Sequence, residues 1–365
     1  MSAQPVRVLV VDDSALMRKL IPQLIESDSS IHVVGTAMDG NFGLKKIQEL
    51  KPQVVTLDLE MPGMGGLDML KEIMRRHRLP VIVVSSHSTE GASVTLKALS
   101  LGAFDFVTKP ADVASRMQES ARELIAKIKA AAQSRGIQIA APVEFSEPVR
   151  RKKASSSIVQ PATKVVAIGV STGGPQSLQY VLSQLPADFP GSIVVVQHMP
   201  EGFTEMFARR LDECTALSVK EAQSGDILQA GRVLVCPGSR HLKVKRLPLG
   251  DVAVLSDEPR VNGHRPSADV LFKSVAEEFG SRAVGVIMTG MGDDGANGLG
   301  SIKAAGGMTI AQSEQSCVVF GMPKAAIERG HAMRVIDLQA LASALQAQCL
   351  GQQAAPKKAM GAGQN

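Results

Sequence analysis

The stretch VVAIGVSTGGP, Val165–Pro175, runs an apolar strand through Gly169, Ser171 and two further glycines into a proline. A buried strand that turns sharply into a helix is the repeating unit of an α/β layer, so this segment decides the architecture around it. Gly169, Ser171 and Gly173 match G-x-S-x-G, a turn that lifts a serine hydroxyl clear of the top of a sheet. The same residues also read as a helix start, because Ser before glycine and proline caps helices. Gly174 is followed by Pro175, which excludes the phosphate cradle G-x-x-x-x-G-K-[ST], and no third spaced glycine completes a dinucleotide fingerprint.

Outward from this segment, the runs GSIVVVQH, RVLVCPG, DVAVLS, AVGVIMTG, GMTIAQ and HAMRVID alternate with stretches of helical spacing. Pro200 to Leu211, Ala268 to Phe279, Gly298 to Ala305 and Leu338 to Cys349 are such stretches. A mostly parallel α/β domain is expected. His198 ends one apolar strand, and Asp293 and Asp294 occupy a glycine-rich turn after another. In a parallel sheet the turns after the strands open at one edge, where an imidazole can take a serine proton and a carboxylate can orient the imidazole. Each residue alone also reads as a cap or turn residue, and the residues leave the choice between Asp293 and Asp294 open. The chain order Ser, His, Asp departs from the Ser, Asp, His of α/β-hydrolases. Amides near Thr172 to Gly174 and around Met291 are unhindered candidates for an oxyanion hole. Arg260, His264 and Arg265, before the helix cap Ser267, read either as a carboxylate-binding surface or as a loop pinned by charged hydrogen bonds.

The first half repeats the alternation: VRVLVV, IHVVGTA, QVVTLD, PVIVVSS and FDFVTK are separated by helical stretches such as Leu16 to Ile25 and Val94 to Leu101. Fully apolar strands imply a parallel sheet covered on both faces. Asp12 and Asp13 end the first strand, Asp58 the third, Ser85 the fourth and Lys109 the fifth. Carboxylates gathered at one edge repel one another unless a cation joins them, and hard oxygen ligands suit Mg²⁺.

At 365 residues the chain has room for two domains, and 44% hydrophobic residues give each a core. Residues 1–133 and 164–350 are the two expected domains, 134–163 a linker rich in Pro, Ser and charge, and 351–365 a disordered tail. The linker run Arg150, Arg151, Lys152, Lys153 reads as solvated, with an acidic or nucleic-acid surface as the alternative. No signal-peptide pattern or membrane-length apolar run occurs, which points to the cytoplasm. Four widely spaced cysteines suggest reduced thiols and no zinc site, and a single Tyr with no Trp serves base stacking poorly.

VVDDSALMR, LDLEMPGMGG and FVTKP make residues 1 to about 133 resemble a two-component receiver domain, a flavodoxin-like fold. The resemblance implies Asp58 as phospho-acceptor, Asp12, Asp13 and Asp58 as the Mg²⁺ site, and Ser85, Phe106 and Lys109 as the switch residues, with a cis Lys109–Pro110 bond. AIGVSTGGP, VVVQHMP, CPGSRHL, NGHRPSADVLF and TGMGDDGANGL, in that order, make the second half resemble the catalytic domain of the chemotaxis receptor methylesterases. That resemblance implies Ser171 as nucleophile, His198 as base, Asp294 as orienting acid, Thr172 within the active site and the Met291 amide in the oxyanion hole. It further implies an enzyme that demethylates receptor glutamates, deamidates selected glutamines, and takes its phosphoryl group from the chemotaxis histidine kinase. The competing expectations are a receiver joined to a DNA-binding output or to a non-catalytic interaction domain.

Overall fold

The computed structural model describes residues 4–86, 88–109, 117–134 and 160–350. The linker call over 135–159, its basic run, the tail 351–365 and the expected cis bond to Pro110 lie outside the described residues.

The N-terminal half is built from β1 (Val6–Val11), α1 (Ala15–Ile25), β2 (Ile31–Ala37), α2 (Gly40–Leu50), β3 (Val54–Leu57), α3 (Gly66–Arg76), β4 (Val81–Ser85), α4 (Thr89–Ser100), β5 (Asp105–Thr108) and α5 (Met117–Gln133). Its parallel sheet has the order β2-β1-β3-β4-β5. Alternate side chains of one strand feed opposite layers, as the two-residue period of a strand requires. Val8 and Val10 pack with Ile21, Ile25, Leu124 and Ile128, whereas Leu9 and Val11 pack with Met69, Leu70 and Ile73. Both faces are dry, which is why the strands read as unbroken apolar runs.

The C-terminal half comprises β6 (Val165–Val170), α6 (Gly174–Ser183), β7 (Ser192–Gln197), α7 (Phe203–Cys214), β8 (Ser218–Glu221), β9 (Arg232–Val235), β10 (His241–Leu247), β11 (Gly250–Ser256), α8 (Ala268–Phe279), β12 (Ala283–Ile287), α9 (Ala296–Ala304), β13 (Met308–Gln312), α10 (Met322–Glu328), β14 (Arg334–Ile336) and α11 (Leu338–Leu350). Seven strands form one sheet in the order β14-β13-β12-β6-β7-β9-β8, and every pair in it is parallel. The chain enters at β6, runs out through β7 to one edge, and returns to β12 on the other side of β6. Crevices at such a reversal, at the strands' C-terminal ends, are where open α/β sheets bind ligands.

Two features go beyond the sequence reading. The run DVAVLS is not in the main sheet: as β11 it pairs antiparallel with β10 in a separate hairpin. Its partner HLKVKRL alternates apolar and basic residues, so one face is solvated, as an antiparallel ribbon permits and a central parallel strand does not. The sequence reading also missed β8, a short edge strand whose SVKE carries only one buried residue.

The two halves touch through the receiver's β5 and the end of α4. Thr172 Oγ1 donates to Asp105 Oδ2 at 2.7 Å, and Gln176 Nε2 donates to the carbonyls of Leu99 and Ala103. Phe106 stacks on Phe203, with centroids 4.8 Å apart and planes 14° from parallel. Val318 and Val319 pack on the receiver's apolar cluster. No helix among the described residues is long and apolar enough to cross a membrane.

Candidate active site

Ser171, His198 and Asp294 follow β6, β7 and β12, three adjacent strands of the main sheet. The helix-cap reading of Ser171 does not hold: the N-cap of α6 is Gly173, with φ of +74°, and no side chain caps that helix. The left-handed residue of the turn is therefore Gly173 and not the serine. The Ser171 backbone is fixed on both sides, its N–H donating to the Thr289 carbonyl at 3.0 Å and its carbonyl accepting from Gln197 Nε2 at 3.0 Å. Gly169 has a separate task, since a Cβ there would sit 2.7 Å from the Ala268 Cβ. Only glycine lets the start of α8 approach β6 this closely.

That approach matters because the start of α8 holds the acid. Asp294 Oδ2 accepts from the Ala268 N–H at 2.6 Å, and Oδ1 accepts from Ser267 Oγ at 2.7 Å. Ser267 occupies the N-cap position of α8 but makes no side-chain cap bond of its own. Asp294, reaching across from the turn before α9, satisfies the helix's first amides in its place and gains from the positive end of the helix dipole. It is also bonded to His198 Nε2, 2.9 Å from Oδ2. Burial alone would raise the Asp294 pKa, but the bonds from His198, Ser267 and Ala268 bring it down to about 2. Asp293 differs: it is exposed and ion-paired to Arg329. The two adjacent acids thus have separate partners.

With Nε2 turned to Asp294, His198 keeps Nδ1 as its second nitrogen, buried and without a hydrogen-bond partner among the described residues. The His198 backbone N–H donates to the carbonyl of Val170, the last residue of β6 before Ser171, at 3.1 Å. A nitrogen left free to accept while the other is bonded to a carboxylate is what a general base needs. Of the amides expected near Thr172 to Gly174, that of Gly174 is spent on the Ser171 carbonyl. The N–H groups of Thr172, Gly173 and Met291 donate to nothing among the described residues, so they remain available to a developing oxyanion.

Thr172 is buried, and its hydroxyl faces the receiver's Asp105. Arg265 donates to the carbonyls of Asp257 and Glu258, which favours the pinned-loop reading of that segment. His264 was not read as part of the site, yet its ring stacks on His198 with centroids 4.0 Å apart and planes 4° from parallel. Asn262 and Asp269 were also missed. Asn262 Nδ2 donates to Asp269 Oδ2 at 2.8 Å and to Asp294 Oδ1 at 3.4 Å. Their spacing along the chain carries no periodic signal; only the motif NGHRPSADVLF, already singled out, points to them.

At the receiver edge, Lys109 Nζ lies 2.6 Å from Asp58 Oδ2 and 3.1 Å from Asp12 Oδ2. Burial raises the Asp58 pKa, against the pull of Lys109. Burial also opposes the Lys109 charge, but its hydrogen bond to Asp58, the Asp58 charge and then the nearby Asp12 charge hold the ammonium above its ordinary value. Asp12, Asp13 and Asp58 each offer an oxygen, all within 4.8 Å of one another. Asp12 Oδ2 is buried and not aligned for a hydrogen bond, so the acidic cluster fits a hard divalent cation. Ser85 is buried beside Thr95, whose hydroxyl donates to it at 2.6 Å.

Residues 8–121 match the profile of the response regulator receiver domain, and residues 166–345 that of the CheB methylesterase. A curated relative from Koribacter versatilis, protein-glutamate methylesterase/protein-glutamine glutaminase 2, is 60% identical over 357 residues, covering 96% of this chain and 98% of its own. Its counterpart from Symbiobacterium thermophilum is 48% identical over 352 residues, 94% of this chain and 96% of its own. The crystal structure of the Thermotoga maritima CheB methylesterase catalytic domain is 43% identical, spans 50% of this chain and 97% of that one, and has a TM-score of 0.49. A receiver and a methylesterase domain on one chain define a response regulator whose output is an enzyme. The chain belongs to the protein-glutamate methylesterase/protein-glutamine glutaminase family.

Proposed function

We propose that this chain is a cytoplasmic, phosphorylation-controlled esterase that removes methyl groups from glutamate side chains of methyl-accepting chemotaxis receptors and releases methanol. Selected receptor glutamines are deamidated by the same acyl-enzyme route, more slowly because ammonia is the poorer leaving group. The observation that carries this reading is the His198 ring, bonded to Asp294 on one edge and left with a buried Nδ1 unpartnered among the described residues, on a backbone hydrogen-bonded to Val170 just before Ser171.

In this mechanism Ser171 Oγ attacks the ester carbonyl carbon while His198 Nδ1 takes its proton. Asp294 stays ionised, fixes the tautomer with the proton on Nε2, and balances the imidazolium. The amides of Thr172, Gly173 and Met291 receive the carbonyl oxygen as its charge develops. The C–O bond to methanol breaks as Nδ1–H returns the proton to the leaving oxygen. Water, deprotonated at the same nitrogen, then cleaves the seryl ester and frees the glutamate.

The receiver controls this edge by occupying it. Asp105 and Phe106 sit on Thr172 and Phe203, next to the nucleophile and at the start of α7. Mg²⁺ held by Asp12, Asp13 and Asp58 would neutralise phosphoryl charge on Asp58, with the chemotaxis histidine kinase as donor. Once Asp58 carries that group, Lys109 and Ser85 have a new partner and Phe106 loses its present seat on Phe203. The test is methanol release from methylated receptor membranes by wild type and Ser171→Ala, with and without a small-molecule phosphodonor. The variant is expected to lose several orders of magnitude, since members of a triad act as a unit; activity within tenfold of wild type would sink the mechanism.

A further inference from the structure

Gln197 is the last residue of β7, level with Val170 at the end of β6. It is 2% exposed, and a buried amide is costly unless its polar atoms are bonded. The side-chain nitrogen carries two N–H donors. Nε2 lies 3.0 Å from the Ser171 carbonyl and 3.3 Å from the His198 carbonyl, so one amide donates to the backbone of both residues between which the proton passes. Those carbonyls also fix which way the amide faces, because an amide oxygen in the same place would meet only other oxygens.

The last backbone bond of the β6–β7 ladder runs from the His198 N–H to the Val170 carbonyl. Beyond it one chain turns into α6 and the other continues through Met199 and Pro200 toward α7. Among the described residues no backbone hydrogen bond joins the two turns past that point, so the Gln197 amide supplies the next cross-link. The chain makes room for it with a glycine. A Cβ on Gly174 would lie 2.1 Å from Gln197 Oε1 and 3.1 Å from its Cδ. Gly173 is required for its left-handed φ and Gly174 for this close approach, so the two glycines after Ser171 have separate causes. Oε1 is buried and has no hydrogen-bond partner among the described residues, which leaves the amide held by its donors.

We infer that Gln197 is a positioning residue for nucleophile and base together: its amide ties the Ser171 carbonyl to the His198 carbonyl and so sets the separation over which the proton passes from Oγ to Nδ1. This rests on the reading of Ser171 as nucleophile and His198 as base. A misplacement of about 1 Å between reacting groups can cost about 100-fold in rate. The loss falls on kcat, because the cross-link lies beneath the two turns and adds nothing to the binding of substrate.

The test is methanol release by the full chain with phosphodonor, with kcat and KM resolved, alongside denaturant unfolding. The variants are Gln197→Met, Gln197→Leu, Ser171→Ala, His198→Ala and the double variant His198→Ala/Gln197→Met. Gln197→Met keeps the length of the side chain without an N–H, and Gln197→Leu is a shorter apolar replacement. Both are expected to be folded in the absence of denaturant, with kcat lowered about 10-fold to 100-fold and KM within about twofold. In the His198→Ala background the same Gln197→Met change is expected to cost about threefold or less, because the spacing to an absent base has no consequence. Wild-type kcat in both Gln197 variants, a loss confined to KM, or the full single-variant loss on top of His198→Ala would each overturn the assignment. So would Gln197 variants that are unfolded without denaturant, since the amide would then hold the domain and not the pair. Wild-type activity of Ser171→Ala or His198→Ala would instead remove the reading on which the inference rests.

Discussion

Thr172 Oγ1 donates a 2.7 Å hydrogen bond to Asp105 Oδ2, so the residue following Ser171 is bonded directly to the receiver's last strand. Asp105 is followed in that strand by Phe106, which stacks on Phe203. A displacement of β5 therefore acts on the strand edge that carries Ser171 without any intermediate element.

Asp105→Ala is expected to raise the rate of the unphosphorylated protein. A hydrogen bond to a charged group contributes about 1.5–3 kcal/mol, and release of even 1 kcal/mol of bias toward the covered state is roughly a fivefold gain. Lys127, the other partner of Asp105, keeps Glu123 at 2.8 Å, so the variant leaves no stranded ammonium. Methanol release measured without phosphodonor checks this; an unchanged basal rate would mean that the bond is no part of the restraint.

Phosphodonor should accelerate wild type and leave Asp58→Ala at its basal rate. The carboxylate of Asp58 is the partner of Lys109, at 2.6 Å, and modification there changes the ion pair at the end of β5. An Asp58→Ala protein that still responds to the donor would show that another residue accepts the phosphoryl group.

The two acids of the GDDG turn should separate by far more than their adjacency suggests. Asp294→Asn removes the charge that faces His198 Nε2 and is expected to cost several orders of magnitude in kcat. Asp293→Asn weakens an exposed pair with Arg329, for which about tenfold or less is expected. Equal losses, or the reverse order, would reassign the orienting role.

Asp294 should also mark the acid stability of the fold. Its folded pKa, about 2 against the ordinary 3.8, is depressed. The stabilisation it confers is therefore fully present above pH 3.8 and is lost as pH falls through 2. The shift corresponds to about 2 kcal/mol. Denaturant unfolding of wild type and Asp294→Asn at pH 5 and pH 2 should show the stability difference between them shrinking by about that amount at the lower pH. A difference that stays constant would mean that the carboxylate is not depressed in the folded state.

Much of the site was legible because parallel α/β sheets place chemistry at strand ends. Ser171, His198 and the Asp293–Asp294 pair were read as candidates from apolar runs followed by polar residues, with Asp294 preferred only through the family resemblance, and Asp12, Asp13, Asp58, Ser85 and Lys109 from the same rule in the first half. The α8 boundaries, Ala268–Phe279, agree with the helical spacing because Ser267 marks the start and Gly280 the end. That DVAVLS pairs outside the main sheet was not legible, because an apolar run of strand length does not say which neighbour it pairs with.

Periodicity and turn residues, both local in the chain, determined by themselves the two α/β halves and the edge on which their polar residues meet. Which atoms meet there was decided by packing between distant segments. The Asp294 carboxylate takes over the amides at the start of α8, and this fixes Nε2 of His198 as the bonded nitrogen and leaves Nδ1 without a hydrogen-bond partner among the described residues. The His264 ring reaches His198 through a separate loop, and Asp105 reaches Thr172 from the other half of the chain. Such contacts depend on the directions of side chains brought together by folding, and spacing along the sequence carries no record of direction.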